Sequence, residues 1–217
     1  MGKNCICIEN VEKAFKNQVI LEDVNLIFES GKVYGIIGKN GTGKSILLKM
    51  MAGLSTPSSG AISYNEKVLE RGKYADDTGI VFDCIGFLPE LSAKENLKML
   101  AKIRNVTTDD EIDLILEKVG LDPKSSKEYR KYSLGMKQKL SIAQAMMENP
   151  KYLLLDEPLN ALDEESVDNI RKYLLDYVHT RDAILVITSH NKEDIDYLCD
   201  DVYEIKNCRV TKISCSK

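Results

Sequence analysis

Between Gly38 and Ser45 the chain reads Gly38-Lys-Asn-Gly-Thr-Gly43-Lys44-Ser45, a spacing of glycines, lysine and hydroxyl that can cradle phosphates. Glycine allows the backbone bends that turn successive N–H groups onto one anion. The helix expected after the loop adds the positive end of its dipole. Gly38, Lys39, Asn40, Gly41, Thr42, Gly43, Lys44, Ser45 and Ile46 therefore form a candidate nucleotide-binding set. In loops of this kind the lysine reaches the β- and γ-phosphates and the hydroxyl binds Mg²⁺. The chemistry implied is the holding of a nucleoside triphosphate.

Two further acids point the same way. Tyr152-Leu-Leu-Leu-Asp156-Glu157-Pro158 is an apolar run ending in adjacent carboxylates, whose mutual repulsion and desolvation invite a cation. Beside a phosphate loop the first acid, Asp156, is a Mg²⁺ ligand, and the second, Glu157, can take a proton from attacking water. Read without that loop, the pair is an acidic turn. His190 follows Thr188 and Ser189 at the end of another apolar run, where it is either a functional group at a sheet mouth or a hydrogen-bonded structural histidine. His179, at a polar helix end, reads as a surface residue. Ser133 with Gly135 is either an ordinary capped helix start or a second phosphate site. Phe15, an aromatic in a polar setting, is either a minor core residue or a platform for a purine ring.

The elements that must position these groups are legible in outline. Val33–Ile37, Tyr152–Glu157 and Ala183–Ile187 read as buried strands, and residues 5–8 and 24–28 as strands of an antiparallel layer. Ile46–Ala52 reads as a helix with Gly53 at its C-terminal end and Pro57 beyond. Residues 61–64 and 79–82 add strands, and a strand-like pair closes the chain after Cys199. From Cys84 to Asn149 the periodicity becomes helical, with capping boxes at Ser92-x-x-Glu95 and Thr108-x-x-Glu111. Residues 84–149 are thus expected to be a mostly helical subdomain inserted into an α/β core formed by residues 1–83 and 150–217.

Bulk properties narrow the class. The 217 residues suit one domain with a sizeable core, and 30 Lys+Arg against 34 Asp+Glu give a net charge of −4, without the basic surplus of a nucleic-acid binder. No run approaches the ~18–20 apolar residues of a membrane helix, and the N-terminus lacks a signal-peptide core. The six cysteines are irregularly spaced and expected to be reduced thiols. Cys5 and Cys7 share a strand face and read as partly buried thiols rather than a metal pair.

Taken together, these residues give the chain a resemblance to the ATPase subunit of ATP-binding-cassette (ABC) transporters over essentially its whole length. Phe15 stands where that family places its adenine-stacking aromatic, and Gly38–Ser45 resembles its phosphate loop. Tyr132-Ser133-Leu134-Gly135-Met136 occupies the place of its signature, usually Leu-Ser-Gly-Gly-Gln. Asp156-Glu157 matches its second nucleotide motif, Asn160–Asp163 its dimer-contact loop, and His190 its switch histidine. The departures are Leu134 and Met136 in the signature, and Asp83 where the family carries the glutamine that touches Mg²⁺ or its water.

The resemblance implies a P-loop α/β fold with an antiparallel β layer and a helical insert. It also implies ATP hydrolysis with Mg²⁺ held by Ser45, Asp156 and Asp83, and catalysis by Glu157, His190 and Lys44. Ser133 and Gly135 would reach ATP across a head-to-tail dimer with a second ATPase subunit. A separate transmembrane permease would be the partner, nucleic acid would not, and the subunit would sit at the cytoplasmic face of the membrane. The absence of a Gly-Glu-Arg-Gly-like segment before Ser133 makes the pattern more similar to drug, peptide or antimicrobial-resistance transporters with separate membrane subunits. The competing expectation is a soluble translation or DNA-repair ATPase built on the same cassette, which usually has two cassettes, a long coiled coil or basic extensions.

Overall fold

The computed structural model describes residues 4–16, 18–82 and 86–213; Asp83, expected beside the metal, lies outside them. Apolar residues alternate along the first two strands, β1 (Cys5–Phe15) and β2 (Gln18–Glu29), which pair antiparallel with Phe15 opposite Gln18. Both run further than the short bursts legible in the sequence. Register shifts after Ile8 and the left-handed backbone at Asn10 break the alternation in the middle of the hairpin, which hides its continuity. The strand β3 (Lys32–Ile37) leads through the glycine loop into helix α1 (Lys44–Met51). Two strands follow, β4 (Ser59–Tyr64) and the two-residue β5 (Lys67–Val68), giving a four-stranded antiparallel sheet ordered β2-β1-β4-β5.

After β6 (Thr78–Val81) come helices α2 (Ala93–Arg104), α3 (Asp109–Lys118) and α4 (Leu134–Met146). Both capping boxes form as their sequences predict: Ser92 and Thr108 each accept from the N3 backbone while Glu95 and Glu111 reach back. The chain then returns to β7 (Tyr152–Asp156), α5 (Glu164–Arg181), β8 (Ile184–Thr188), α6 (Lys192–Leu198), β9 (Asp201–Lys206) and β10 (Arg209–Ile213). The second sheet has six strands ordered β10-β9-β3-β8-β7-β6, parallel except for β10.

Every residue of β7 and β8 is buried, as expected of parallel strands covered on both faces. Their alternation feeds two cores. Tyr152, Leu154, Ile184 and Val186 face α1 and the antiparallel sheet, packing with Leu47, Met50 and Met51. Leu153, Leu155, Leu185 and Ile187 face α4 and α5, in one cluster with Leu97 and Leu116 from α2 and α3. Helix α4 lies so close to β6 that a Cβ at Gly79 would stand 1.9 Å from the Ala145 carbonyl; only glycine permits that approach. The two sheets thus clamp α1, and the carboxyl ends of β3, β7 and β8 come out side by side.

Candidate nucleotide site

Those three strand ends carry the candidate chemistry. β3 and β8 run parallel with Ile36 opposite Thr188, and β7 and β8 with Asp156 opposite Thr188. The phosphate loop, the two acids and His190 therefore emerge on one edge, where ligands bind in open α/β sheets. A cavity of about 390 Å³ opens there, lined by Asn40, Gly41, Gly43, Lys44, Ser45, Ile46, Asp156, Glu157 and His190.

Gly43 caps α1 with φ 107°, a left-handed backbone that a side chain resists. Its missing Cβ would also lie 2.9 Å from Ile20 of β2, so the antiparallel sheet braces the loop. Lys44 is 6 % exposed, and its Nζ donates to the carbonyls of Gly38 (2.8 Å) and Lys39 (3.3 Å). Burial pushes the Lys44 ammonium below its ordinary 10.5, while Glu157 and Asp156 pull it back up.

The acids sit in different environments. Asp156 is buried, and its Oδ1 accepts from the Thr188 hydroxyl at 2.6 Å. That same hydroxyl accepts from the Glu157 N–H at 2.9 Å, so one fully buried threonine fixes both residues. Glu157 has φ 48°, a left-handed conformation that non-glycine residues adopt mainly where the surroundings over-determine it. Thr188 holds its N–H, and Gln138 of α4 donates to its carbonyl at 3.4 Å. Its carboxylate is engaged at both oxygens: Asn160 Nδ2 donates to Oε2, and His190 Nε2 lies 2.6 Å from Oε1. At that distance from a carboxylate, Nε2 carries the proton. The 3.5 Å approach of Lys44 Nζ to the same nitrogen is then proximity of two donors, with Lys44 bonded to the Gly38 and Lys39 carbonyls and His190 to Glu157.

The donor set at the cavity fits Mg²⁺. Ser45 and Asp156 offer hard oxygen ligands, and among the described residues no cluster of three or more His, Cys, Asp or Glu could hold a metal by itself. Mg²⁺ is commonly held this way, by one or two protein oxygens with phosphate and water completing its shell.

Of the loop candidates, Gly38, Lys39 and Thr42 do not line this cavity, and Phe15, Ser133 and Gly135 belong to other parts of the molecule. Phe15 is at the tip of the β1–β2 hairpin, 51 % exposed with Lys13 Nζ 4.8 Å from its ring centre; it is not a core residue. Ser133 caps α4, its Oγ accepting from the Met136 N–H at 3.2 Å. A Cβ at Gly135 would come 2.8 Å from the Ala161 carbonyl, so the room beside that glycine is taken by this chain's own Asn160–Asp163 loop. Thr188 and Gln138, which hold the acids, have no role legible in the sequence because their partners lie 19 or more positions away; Asn160, expected in the dimer-contact loop, bonds the Glu157 carboxylate within its own chain.

Comparisons with known proteins bear on the family and the fold. Residues 21–160 match the ABC transporter family model. An uncharacterized ABC transporter ATP-binding protein, YybJ of Bacillus subtilis, is 40 % identical over 93 % of this chain and 92 % of its own length. The bacitracin transport ATP-binding protein BcrA of Enterococcus faecalis is 35 % identical over 88 % of this chain, which spans 63 % of that protein. Among solved structures, the dimeric cassette MJ0796 in a post-hydrolysis state with ADP and Pi superposes with a TM-score of 0.87, covering 98 % of this chain and 99 % of that one at 22 % identity; this shows the fold. The chain belongs to the ABC transporter family, as an ATPase subunit of its ATP-binding type.

Proposed function

We propose that the cavity at the ends of β3, β7 and β8 binds ATP with Mg²⁺ and hydrolyses it to drive transport through a separate membrane permease. The observation that carries this reading is the convergence of Lys44, Ser45, Asp156, Glu157 and His190 on one cavity. Lys44 and the loop amides from Gly38 to Ile46 bind the phosphates, and Phe15 stacks on the adenine. Ser45 and Asp156 hold Mg²⁺, with Asp83 as a third oxygen; bound there, the ion neutralises charge on the β- and γ-phosphates. Glu157 takes the proton of the attacking water, and His190 turns from Glu157 to the γ-phosphate. Ser133 and Gly135 complete the site from a second subunit in a head-to-tail dimer. That arrangement is supported by the exposure of Leu134, 68 %, in the first turn of α4.

Among the described residues no helix is long and apolar enough to cross a membrane. In this reading the subunit rests on the cytoplasmic face of a separate permease. The name of BcrA supports a peptide antibiotic as cargo. The test is ATP hydrolysis by the wild-type chain and by Glu157→Gln. Removing the general base lowers turnover by roughly 10²–10⁴-fold with nucleotide affinity retained. Turnover within a factor of two of wild type would remove Glu157 from the chemistry.

A further inference from the structure

His190 has to leave one partner and find another, yet packing does not hold it. Its side chain is 39 % exposed. Besides the nucleotide cavity it borders a second one of about 500 Å³, lined by Ile37 and Gly38 at the start of the phosphate loop and by Ser189, Asn191, Ile195 and Ile213. Next to these two cavities the position of His190 rests on the polar tethers of its neighbours, and here these are buried. Before His190, Thr188 ties the strand end to Asp156. Ser189, immediately before it, makes the second tie and reaches past it: its hydroxyl donates to Asp194 Oδ2 at 2.7 Å and accepts from the Asn191 N–H at 3.0 Å. The residues on both sides of His190 are thereby fastened to one carboxylate.

That carboxylate is itself fixed. Asp194, in the first turn of α6, is 4 % exposed, and its Oδ1 accepts from Arg171 of α5, with Nε at 3.0 Å. Arg171 is 8 % exposed and lies over the Tyr197 ring of α6, 5.6 Å from its centre. A fork of two N–H groups on one oxygen leaves the other oxygen for Ser189. None of Arg171, Asp194 and Ser189 lines the nucleotide cavity.

We propose that Ser189 is a positioning residue for His190, anchored by the buried Asp194–Arg171 pair so that the imidazole swings between Glu157 and the γ-phosphate on a fixed hinge. This rests on the role given to His190 above. The hydroxyl sets where the hinge stands, and the ion pair ties it to α5, which begins just after the Asn160–Asp163 loop.

Steady-state ATP hydrolysis and nucleotide affinity of the purified chain test the idea in Ser189→Ala, His190→Ala and the double variant, with Asp194→Asn as a second lesion of the same tether. Ser189→Ala removes one oxygen and leaves the ion pair whole. Its turnover is expected to fall roughly 10-fold, within what misplacement of a reacting group costs, with KM for ATP changed less than about 2-fold. Asp194→Asn follows it in turnover. The double variant is expected to be no slower than His190→Ala, because a hinge without its imidazole has nothing to position. Wild-type turnover in Ser189→Ala, or a loss that adds to that of His190→Ala, overturns the hinge while leaving His190 its role. Wild-type turnover in His190→Ala removes the role of His190 itself, and the hinge with it.

Discussion

Two helix starts in this chain are candidates for phosphate, and they differ in what satisfies their amides. At α1 the cap is Gly43, with no side chain to offer and a left-handed backbone braced by Ile20; the N–H groups are left for a ligand, and a buried lysine stands beside them. At α4 the cap is Ser133, whose own hydroxyl already accepts from Met136, and the neighbouring space is filled by the Ala161 carbonyl. A helix end capped by glycine forgoes only a few tenths of a kcal/mol relative to a serine cap. That loss is tolerated where binding returns it. The α1 end is built for a ligand within the chain, whereas the α4 end is stable by itself and available to another molecule.

Breaking each end separately should expose the contrast. The largest effect is expected from Lys44→Ala: losing charge-assisted contacts to phosphate costs about 3 kcal/mol, or about 10²-fold in ATP affinity, measured by titration of a fluorescent nucleotide. Ser133→Ala should do the reverse. It lowers the stability of the nucleotide-free chain by about 1 kcal/mol, read from urea unfolding, and leaves ATP affinity of the monomer unchanged. A large affinity loss in Ser133→Ala would mean that both ends act within one chain.

The smallest effect concerns protons. Burial lowers the Lys44 pKa in the nucleotide-free chain, and a bound triphosphate raises it again. Between those two values binding takes up a proton, so affinity falls as pH rises toward the ordinary 10.5 of a lysine. Folding has the opposite slope. The unfolded chain binds more protons in the window below 10.5, so the stability of the nucleotide-free protein rises with pH there. Calorimetry in buffers of different ionisation enthalpy should record net proton uptake on binding that grows as pH rises into the alkaline range below 10.5.

How far the sequence reveals these features depends on the range of the interactions. Contacts that close within one turn are readable: the boxes at Ser92 and Thr108, the cap at Ser133, and the apolar runs of β7 and β8 all appear where their residues predict. The loop from Gly38 to Ser45 belongs to the same class, since strand, glycines and helix are contiguous. Features built across the chain are not readable. Thr188 is 32 positions from the carboxylate it holds, and Arg171 is 23 from Asp194; only the parallel register of β7 and β8 and the packing of α5 on α6 bring them together. Short elements also escape: α6 is seven residues and β5 two, too brief for a period to show. At β1 and β2 a bulged register conceals a long hairpin, which leaves Phe15 at an exposed tip.

The central claim is that this chain holds half of a nucleotide site and that the α4 start of a second copy supplies the rest. Glu157→Gln, which should bind ATP without consuming it, allows a direct test by sedimentation with ATP and Mg²⁺. The expected result is that Glu157→Gln sediments as a dimer, while Glu157→Gln combined with Ser133→Glu stays a monomer with undiminished ATP affinity, because the added carboxylate repels the partner's γ-phosphate. A dimer of unchanged stability in the double variant, or a monomer in ATP-loaded Glu157→Gln, would contradict it.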